Sequence, residues 1–263
     1  MTTAAPTDLE VAHLLADAAR LAILPYFRKR DLETENKLTQ GFDPVTVADR
    51  AAETAMRAIL ARLRPDDGVW GEEFGHQTGP SGRIWVLDPI DGTRGFVSGT
   101  PTWGVLIALS EADGPMLGII DQPFIGERFV GGPDIAELTG PFGVSPLITS
   151  DTATLSRAIL FTTFPEVGAA LDRAGFQAVS DQVKLTRYGM DCYAYGLLAA
   201  GHIDLVIEAG LNAYDIQAPI AVVKAAGGIV TNWQGGPAHQ GGRVLAAANR
   251  GIHGAVLAIL KDF

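Results

Sequence analysis

Trp85-Val86-Leu87-Asp88-Pro89-Ile90-Asp91-Gly92-Thr93 is the stretch whose reading decides the fold. The apolar run IWVL at 84–87 predicts a buried strand, and that strand delivers two carboxylates three residues apart into a Gly-Thr turn. Pro89 fixes one backbone angle and Gly92 permits tight curvature, so the turn is expected to be stiff and compact. Two acids held that close repel one another unless a cation sits between them. Hard divalent cations take oxygen ligands, and Mg²⁺ commonly takes only one or two carboxylates, completed by water and phosphate oxygens. Taken alone, the segment also suits an Asp-Pro turn followed by an ordinary Asx turn.

Outward from this strand, the pattern changes twice. Upstream, Val11, Leu14, Leu15, Ala18 and Ala22 recur at helical spacing and predict a helix over 8–28, with Asp8 as N-cap and Pro25 near its end. Residues 31–43 read as a loop, and a second helix is predicted from about Val47 to Arg64. Downstream, further short strands are expected at 104–109, 116–120 and 127–131. From about residue 155, strands (158–163, 183–188, 203–208, 228–231, 244–248) alternate with helices (165–174, 191–201, 215–227, 252–261). Such an order predicts two sub-structures sharing a layered core. The Gly-, Pro-, Ser- and Thr-rich segment 132–152 is the candidate boundary, dividing an N-terminal α+β part, 1–145, from a C-terminal α/β part, 146–263.

Composition bounds the function. A chain of 263 residues, 47% hydrophobic and 19% charged, can bury a sizeable core. A formal charge of −10 has the wrong sign for a general nucleic-acid binder. No apolar run is long enough to span a membrane, and the start MTTAAPTDLE lacks the features of a secretory signal, so a soluble, cytoplasmic protein is expected. The single cysteine, Cys192, excludes an internal disulfide framework and a multi-cysteine zinc site, and reads as a small core residue. The five histidines show no ligand-pair spacing, and Tyr193 and Tyr195 read as packing residues on a helix face.

Other acids join the first pair. Gly71-Glu72-Glu73 places carboxylates at a probable strand end, and Asp43-Pro-Val-Thr46-Val-Ala-Asp49 places Asp49 near the start of the second helix. Asp49 equally suits a first-turn acid complementing the helix dipole, and Asp215 equally suits a helix N-cap. Together, these blocks and Tyr214-Asp215 resemble the inositol monophosphatase family of Mg²⁺-dependent phosphatases in order and spacing, over about residues 43 to 249. Tyr214 stands where that family often has Trp.

The resemblance implies a layered α-β-α-β-α sugar-phosphatase fold with the active site between its two parts, and commonly a homodimer. It implies one Mg²⁺ at Glu72, Asp88 and the Ile90 carbonyl, a second at Asp88, Asp91 and Asp215, and a third, weaker ion involving Glu72 and waters. Thr93, backed by Asp49, would position a water for in-line attack without a covalent phosphoenzyme, and the N–H groups of Gly92 and Thr93 would hold phosphate oxygens.

Within the family, Arg187-Tyr-Gly-Met-Asp191-Cys-Tyr-Ala-Tyr195 resembles the histidinol-phosphatase branch, as do Ile207-Glu208-Ala-Gly-Leu-Asn212 and Phe96-Val-Ser-Gly99. A substrate carrying an ammonium and an imidazole wants carboxylates away from the metals, and Asp191 and Glu208 are the candidates. Asp191 equally suits an N-cap for the following helix, and Glu208 equally suits a ring hydroxyl. Arg187 is a candidate for the phosphate or a site acid, and Asn212 for a polar substrate group. Inositol monophosphatase is the alternative within the family, and a metal-binding accessory protein on the same fold is the non-enzymatic one. A haloacid-dehalogenase reading fails, because its aspartyl nucleophile position, two before Asp91, holds Pro89.

Overall fold

The computed structural model describes residues 5–30, 34–36 and 44–263. Of the predicted loop 31–43, residues 34–36 form β1 (Thr34–Asn36), which pairs antiparallel with β2 (Pro44–Thr46); Asp43 lies outside the described residues. The helices α1 (Asp8–Ile23) and α2 (Val47–Leu63) follow the predicted periodicity. Thr7 rather than Asp8 caps α1, in a reciprocal capping box with Glu10, and the helix gives way to turns before Pro25.

An eight-stranded sheet follows. It comprises β3 (Gly68–Gly71), β4 (Gly75–Gln77), β5 (Ile84–Asp91), β6 (Gly104–Glu111), β7 (Gly114–Gln122), β8 (Glu127–Gly132), β9 (Ile135–Gly140) and β10 (Gly143–Pro146). The spatial order is β10-β9-β8-β7-β6-β5-β3-β4, and only β3 and β5 run parallel. The candidate boundary segment 132–152 carries β9 and β10, which extend the sheet to its edge. Their residues are half-buried or exposed, so they carry little of the apolar alternation that marks the inner strands. A short α3 (Thr93–Ser98) follows β5, bounded by Gly92 and Gly99, both in the left-handed region.

The second sheet has the order β12-β11-β13-β15-β14, from β11 (Ile159–Thr162), β12 (Leu185–Tyr188), β13 (Leu205–Leu211), β14 (Ile229–Thr231) and β15 (Gly242–Ala247). Helices α4 (Ala170–Ser180), α5 (Tyr193–Ala199), α6 (Ala213–Ala225) and α7 (Arg250–Leu260) complete the chain. The helix expected at 165–174 starts later because Gly168, at φ 49°, ends a turn, and Asp172 accepts from the Ala169 N–H at 2.7 Å to open α4 there.

Period-two alternation sorts each strand between layers. In β5 and β6, Trp85, Leu87, Val105, Ile107 and Leu109 pack with α1 and α2, while Val86, Leu106 and Ala108 face the opposite core. That middle core is shared with α5, α6 and one face of the second sheet (Phe161, Val206, Val244, Ala246). The other face (Leu160, Leu205, Ile207, Leu245) packs on α4 and α7. The result is the α-β-α-β-α layering that the resemblance implies. Helix α6 lies close on the first sheet because Gly118 and Gly131 leave room. A Cβ at either would come within 2.5 Å and 2.4 Å of α6 backbone atoms.

Outside the site, Asp121 of β7 is fully buried and paired at 2.7 Å with both Arg20 of α1 and Arg128 of β8, tying the outer helix to the sheet. Among the described residues no helix is long and apolar enough to cross a membrane.

Candidate active site

A one-residue bulge in β5 sets the site. Asp88 pairs with Leu106 and Asp91 with Gly104, so three steps on β5 match two on β6. Asp88 keeps the parity of Val86 and points into the middle layer. The extra residue carries Asp91, of opposite parity, to the same side. The Ile90 N–H donates to Asp88 Oδ1 at 3.0 Å, and the Ile90 carbonyl accepts from the Thr93 hydroxyl at 3.0 Å, closing the turn on itself. Gly92 takes φ 84°, and a Cβ there would stand 2.7 Å from Asp191 Cγ. A side chain at 92 would therefore be strained twice over.

Asp215 arrives from the second half of the chain. It is the third residue of α6, where its carboxylate accepts from the Asn212 N–H at 2.6 Å. Asn212, not Asp215, is the N-cap residue. Pro219, inside α6, has no N–H to offer the Asp215 carbonyl one turn earlier. Carboxylate oxygens of Asp88, Asp91 and Asp215 all lie within 4.8 Å of one another. Burial pushes the Asp88 carboxyl well above the usual range, and the carboxylates of Glu72, Asp91 and Asp215 add repulsion. Burial does the same to Asp91, with Asp191 and Asp215 adding to it. Converging acids that oppose one another's ionisation are a donor set suited to a hard cation.

The cluster forms the floor of a cavity of about 290 Å³ between the two sheets. The structure brings Glu72, Asp88, Ile90, Asp91, Gly92, Thr93, Asp191, Glu208, Asn212 and Asp215 together around it. It does not bring Arg187 there. That side chain is exposed on β12, its guanidinium 6.0 Å from the Phe161 ring centroid. Asp49 is not on the cavity wall either. Its Oδ2 accepts from both the N–H and the hydroxyl of Thr46, at 2.8 and 2.6 Å, so the first-turn reading describes its bonds. Its Oδ1 is buried without a partner, and no hydrogen bond joins it to Thr93. Burial, with some repulsion from Glu73 and Glu72, pushes its carboxyl up to about 7.

Two further acids line the cavity, Asp191 beside the Asp91-Gly92 turn and Glu208 on β13. Asp191 sits at φ 46°, outside α5, which begins at Tyr193 with Cys192 as its cap residue. The helix-cap reading is thereby overturned: the carboxylate instead accepts from the Thr102 hydroxyl at 3.3 Å and faces Gly92. Burial raises its pKa, partly offset by Thr102 and Arg94. The neighbouring Cys192 N–H donates to Asp91 Oδ2 at 2.6 Å, so this one backbone turn touches the acidic cluster as well. The thiol itself is buried and pushed well up, as expected of a core cysteine. Glu208, on β13, is buried and accepts from the Thr163 N–H and hydroxyl at 2.7 and 2.9 Å and from the Thr162 hydroxyl at 3.1 Å. Burial nonetheless pushes it up to about 7.

Sequence reasoning missed several wall residues. Tyr195 lines the cavity although its spacing reads as packing. Arg94 and Phe164 also line it, the guanidinium lying 4.7 Å from the ring centroid. Only the position of Arg94, next to the Asp-Gly-Thr turn, gave any sequence signal.

Comparison with known proteins agrees with this geometry. The model of the inositol monophosphatase family matches residues 6–262. The chain is 42% identical over 229 residues to the bifunctional phosphatase IMPL2, chloroplastic, of Arabidopsis thaliana, covering 86% of this chain and 64% of that longer protein. It is 40% identical over 266 residues to a histidinol-phosphatase of Streptomyces coelicolor, covering 97% of each. A solved inositol monophosphatase from Zymomonas mobilis superposes with a TM-score of 0.85 at 40% identity, covering 98% of this chain and 99% of that one. Since the family match runs nearly end to end, this phosphate monoester hydrolase belongs to the metal-dependent inositol monophosphatase family.

Proposed function

We propose that the protein hydrolyses L-histidinol phosphate to L-histidinol and phosphate, with Mg²⁺ as the cation. The observation that carries this reading is the second acidic wall. Asp191 and Glu208 line the same cavity as the cluster of Asp88, Asp91 and Asp215, Asp191 beside Asp91 and Glu208 farther along on β13. A phosphate ester whose other end holds an ammonium and an imidazole meets acids there, above all Glu208, whose buried carboxylate is bonded to Thr162 and Thr163. The identity to the Streptomyces histidinol-phosphatase supports the same choice.

In this reading, Glu72, Asp88, the Ile90 carbonyl, Asp91 and Asp215 hold two or three ions. The bound cations supply neutralisation of the phosphate dianion, a lowered pKa for water, and stabilisation of the departing alkoxide. Gly92 and Thr93 open α3 at the cavity and offer backbone N–H groups to phosphate oxygens. The Thr93 hydroxyl, held by the Ile90 carbonyl, orients the attacking water, and Asp49 backs it only by fixing Thr46 at the start of α2. In-line attack by that water needs no covalent enzyme intermediate. Asn212 faces the substrate's polar end.

Inositol 1-phosphate is the second reading, favoured by the Zymomonas structure, and there Glu208 would take a ring hydroxyl. We place the protein in the cytoplasm as a homodimer of two-part chains, 1–145 and 146–263, a state that light scattering measures. Phosphate release from histidinol phosphate and from inositol 1-phosphate, each with Mg²⁺ and with EDTA, tests the substrate. A strong, EDTA-abolished preference for histidinol phosphate is expected. A preference for inositol 1-phosphate overturns the reading of the second wall but leaves the cation site standing.

A further inference from the structure

Glu72 enters the cavity from the turn between β3 and β4, and that turn is gripped from behind by α2. The Glu72 N–H donates to the Leu87 carbonyl at 3.2 Å. The next two, those of Glu73 and Phe74, donate to Glu53 Oε2 and Oε1 at 2.7 and 3.2 Å. Glu53 is fully buried and also accepts from Arg57 Nε at 2.7 Å, while Arg57 reaches on to the Gly75 carbonyl at 2.5 Å. Gly71 permits the approach, because a Cβ there would stand 1.9 Å from Glu53 Oε1. Asp49, Glu53 and Arg57 follow one another at i, i+4 and i+8, a single stripe of α2 laid against the turn.

A buried carboxylate is costly unless every lone pair is used, and a short surface turn can close on water without one. Here the carboxylate fixes the backbone on the C-terminal side of Glu72 while Leu87 fixes it at Glu72 itself. The reach of the Glu72 side chain to Asp88 is thereby set by α2.

We propose that Glu53 is a positioning residue for Glu72, and that through it α2 sets the affinity of the acidic cluster for a divalent cation. This rests on reading Glu72 as a cation ligand. Partners one step behind a ligand are typically worth roughly 10–100-fold in metal affinity.

The test is calorimetric titration of Mg²⁺ into the folded protein, paired with the Mg²⁺ dependence of turnover. For Glu53→Gln we expect the dissociation constant and the half-saturating Mg²⁺ to rise at least ~10-fold, with kcat at saturating Mg²⁺ kept within a few-fold. Asp121→Asn is the control: it removes a buried ion-pair partner far from the turn, and should lower the melting temperature while leaving Mg²⁺ affinity unchanged. If Glu53→Gln does not fold, Glu53→Asp carries the same expectation, since it keeps the charge but shortens the reach. Unchanged Mg²⁺ affinity in the folded Glu53 variant, with a lowered melting temperature only, makes Glu53 a strut and overturns the proposal. Glu72→Gln separates the two ideas: if it leaves Mg²⁺ affinity unchanged, the ligand reading itself fails.

Discussion

Glu208 offers a perturbation whose effect on stability depends on pH in a calculable way. Its carboxyl is buried among Thr162, Thr163 and the cavity, and burial lifts it from an ordinary 4.5 to about 7 despite three hydrogen bonds that oppose the lift. Below pH 4.5 the group is protonated in both the folded and unfolded chain and contributes no pH dependence. Between 4.5 and 7 the unfolded chain ionises it while the folded chain does not, so the folded state loses stability as pH rises. Above 7 both states are ionised and the loss is complete. A difference of about 2.5 pKa units corresponds to about 3 kcal/mol. Glu208→Gln cannot titrate, so its stability relative to the parent should climb by about 3 kcal/mol from pH 4.5 to pH 8. The constant cost of replacing the oxygen that accepts from the Thr162 hydroxyl with an amide NH2 shifts the whole curve but not its slope. Urea unfolding followed by tryptophan fluorescence, in EDTA, gives both stabilities at each pH. A difference that stays flat across the window would refute the assignment of a raised carboxyl at 208. The same physics bears on ligand binding, for a cationic group brought to Glu208 favours its ionised form. Near pH 6.5, histidinol phosphate should release a proton on binding to the parent and release less on binding to Glu208→Gln, read by calorimetry in buffers of different ionisation enthalpy.

Three further outcomes follow from the site. Asp88→Asn should cut turnover of every phosphate ester at least ~100-fold, since Asp88 is buried at the centre of the acidic cluster; appreciable activity at any Mg²⁺ concentration contradicts its role. Mg²⁺ at about a hundred times its dissociation constant should stabilise the folded chain by about 2.7 kcal/mol, or roughly 5 °C in melting temperature, and EDTA should reverse it. No shift would mean that the cluster does not bind the ion. Asp191→Ala should lower kcat/KM for histidinol phosphate by roughly 10–100-fold while a generic aryl phosphate loses only a few-fold, the loss expected for one charged partner. Equal losses would reduce Asp191 to a prop for the Gly92 turn, which it also touches.

A layered core was legible from the order of helices, then strands, then strand–helix alternation, and its α-β-α-β-α form from the family resemblance. Trp85-Val86-Leu87 is apolar throughout, so which layer each residue faces shows only in the structure. What escaped was structure with little burial or with local backbone exceptions. Strands β9 and β10 lie at an exposed sheet edge, so Gly- and Pro-containing residues there read as a boundary rather than as strands. The six-residue α3 is too short for a period to show, and its limits are set by two left-handed glycines. Helix α4 starts later than the sequence predicts because its start is fixed by the Asp172 bond to Ala169.

The two walls of the site differed in legibility for a physical reason. The cation wall is built mainly from residues close in sequence, so the spacing of Asp88, Asp91 and the Gly-Thr turn already encodes its geometry, and the β5 bulge only completes it. The second wall is assembled from β13, the end of β11 and the turn before α5, and whether a side chain there faces the cavity depends on single torsions. Asp191 shows the sensitivity. With the extended torsions of an N-cap it would cap α5, as its neighbours suggest. At φ 46° it leaves the helix, its carboxylate turns to Thr102 and Gly92, and the next N–H is delivered to Asp91. Arg187 shows the converse, since it sits on a strand adjacent to β11 yet projects at an exposed edge. On the proposed function, selectivity among phosphate esters would rest on the part of the chain where local sequence says least about direction, and the shared hydrolytic chemistry on the part where it says most.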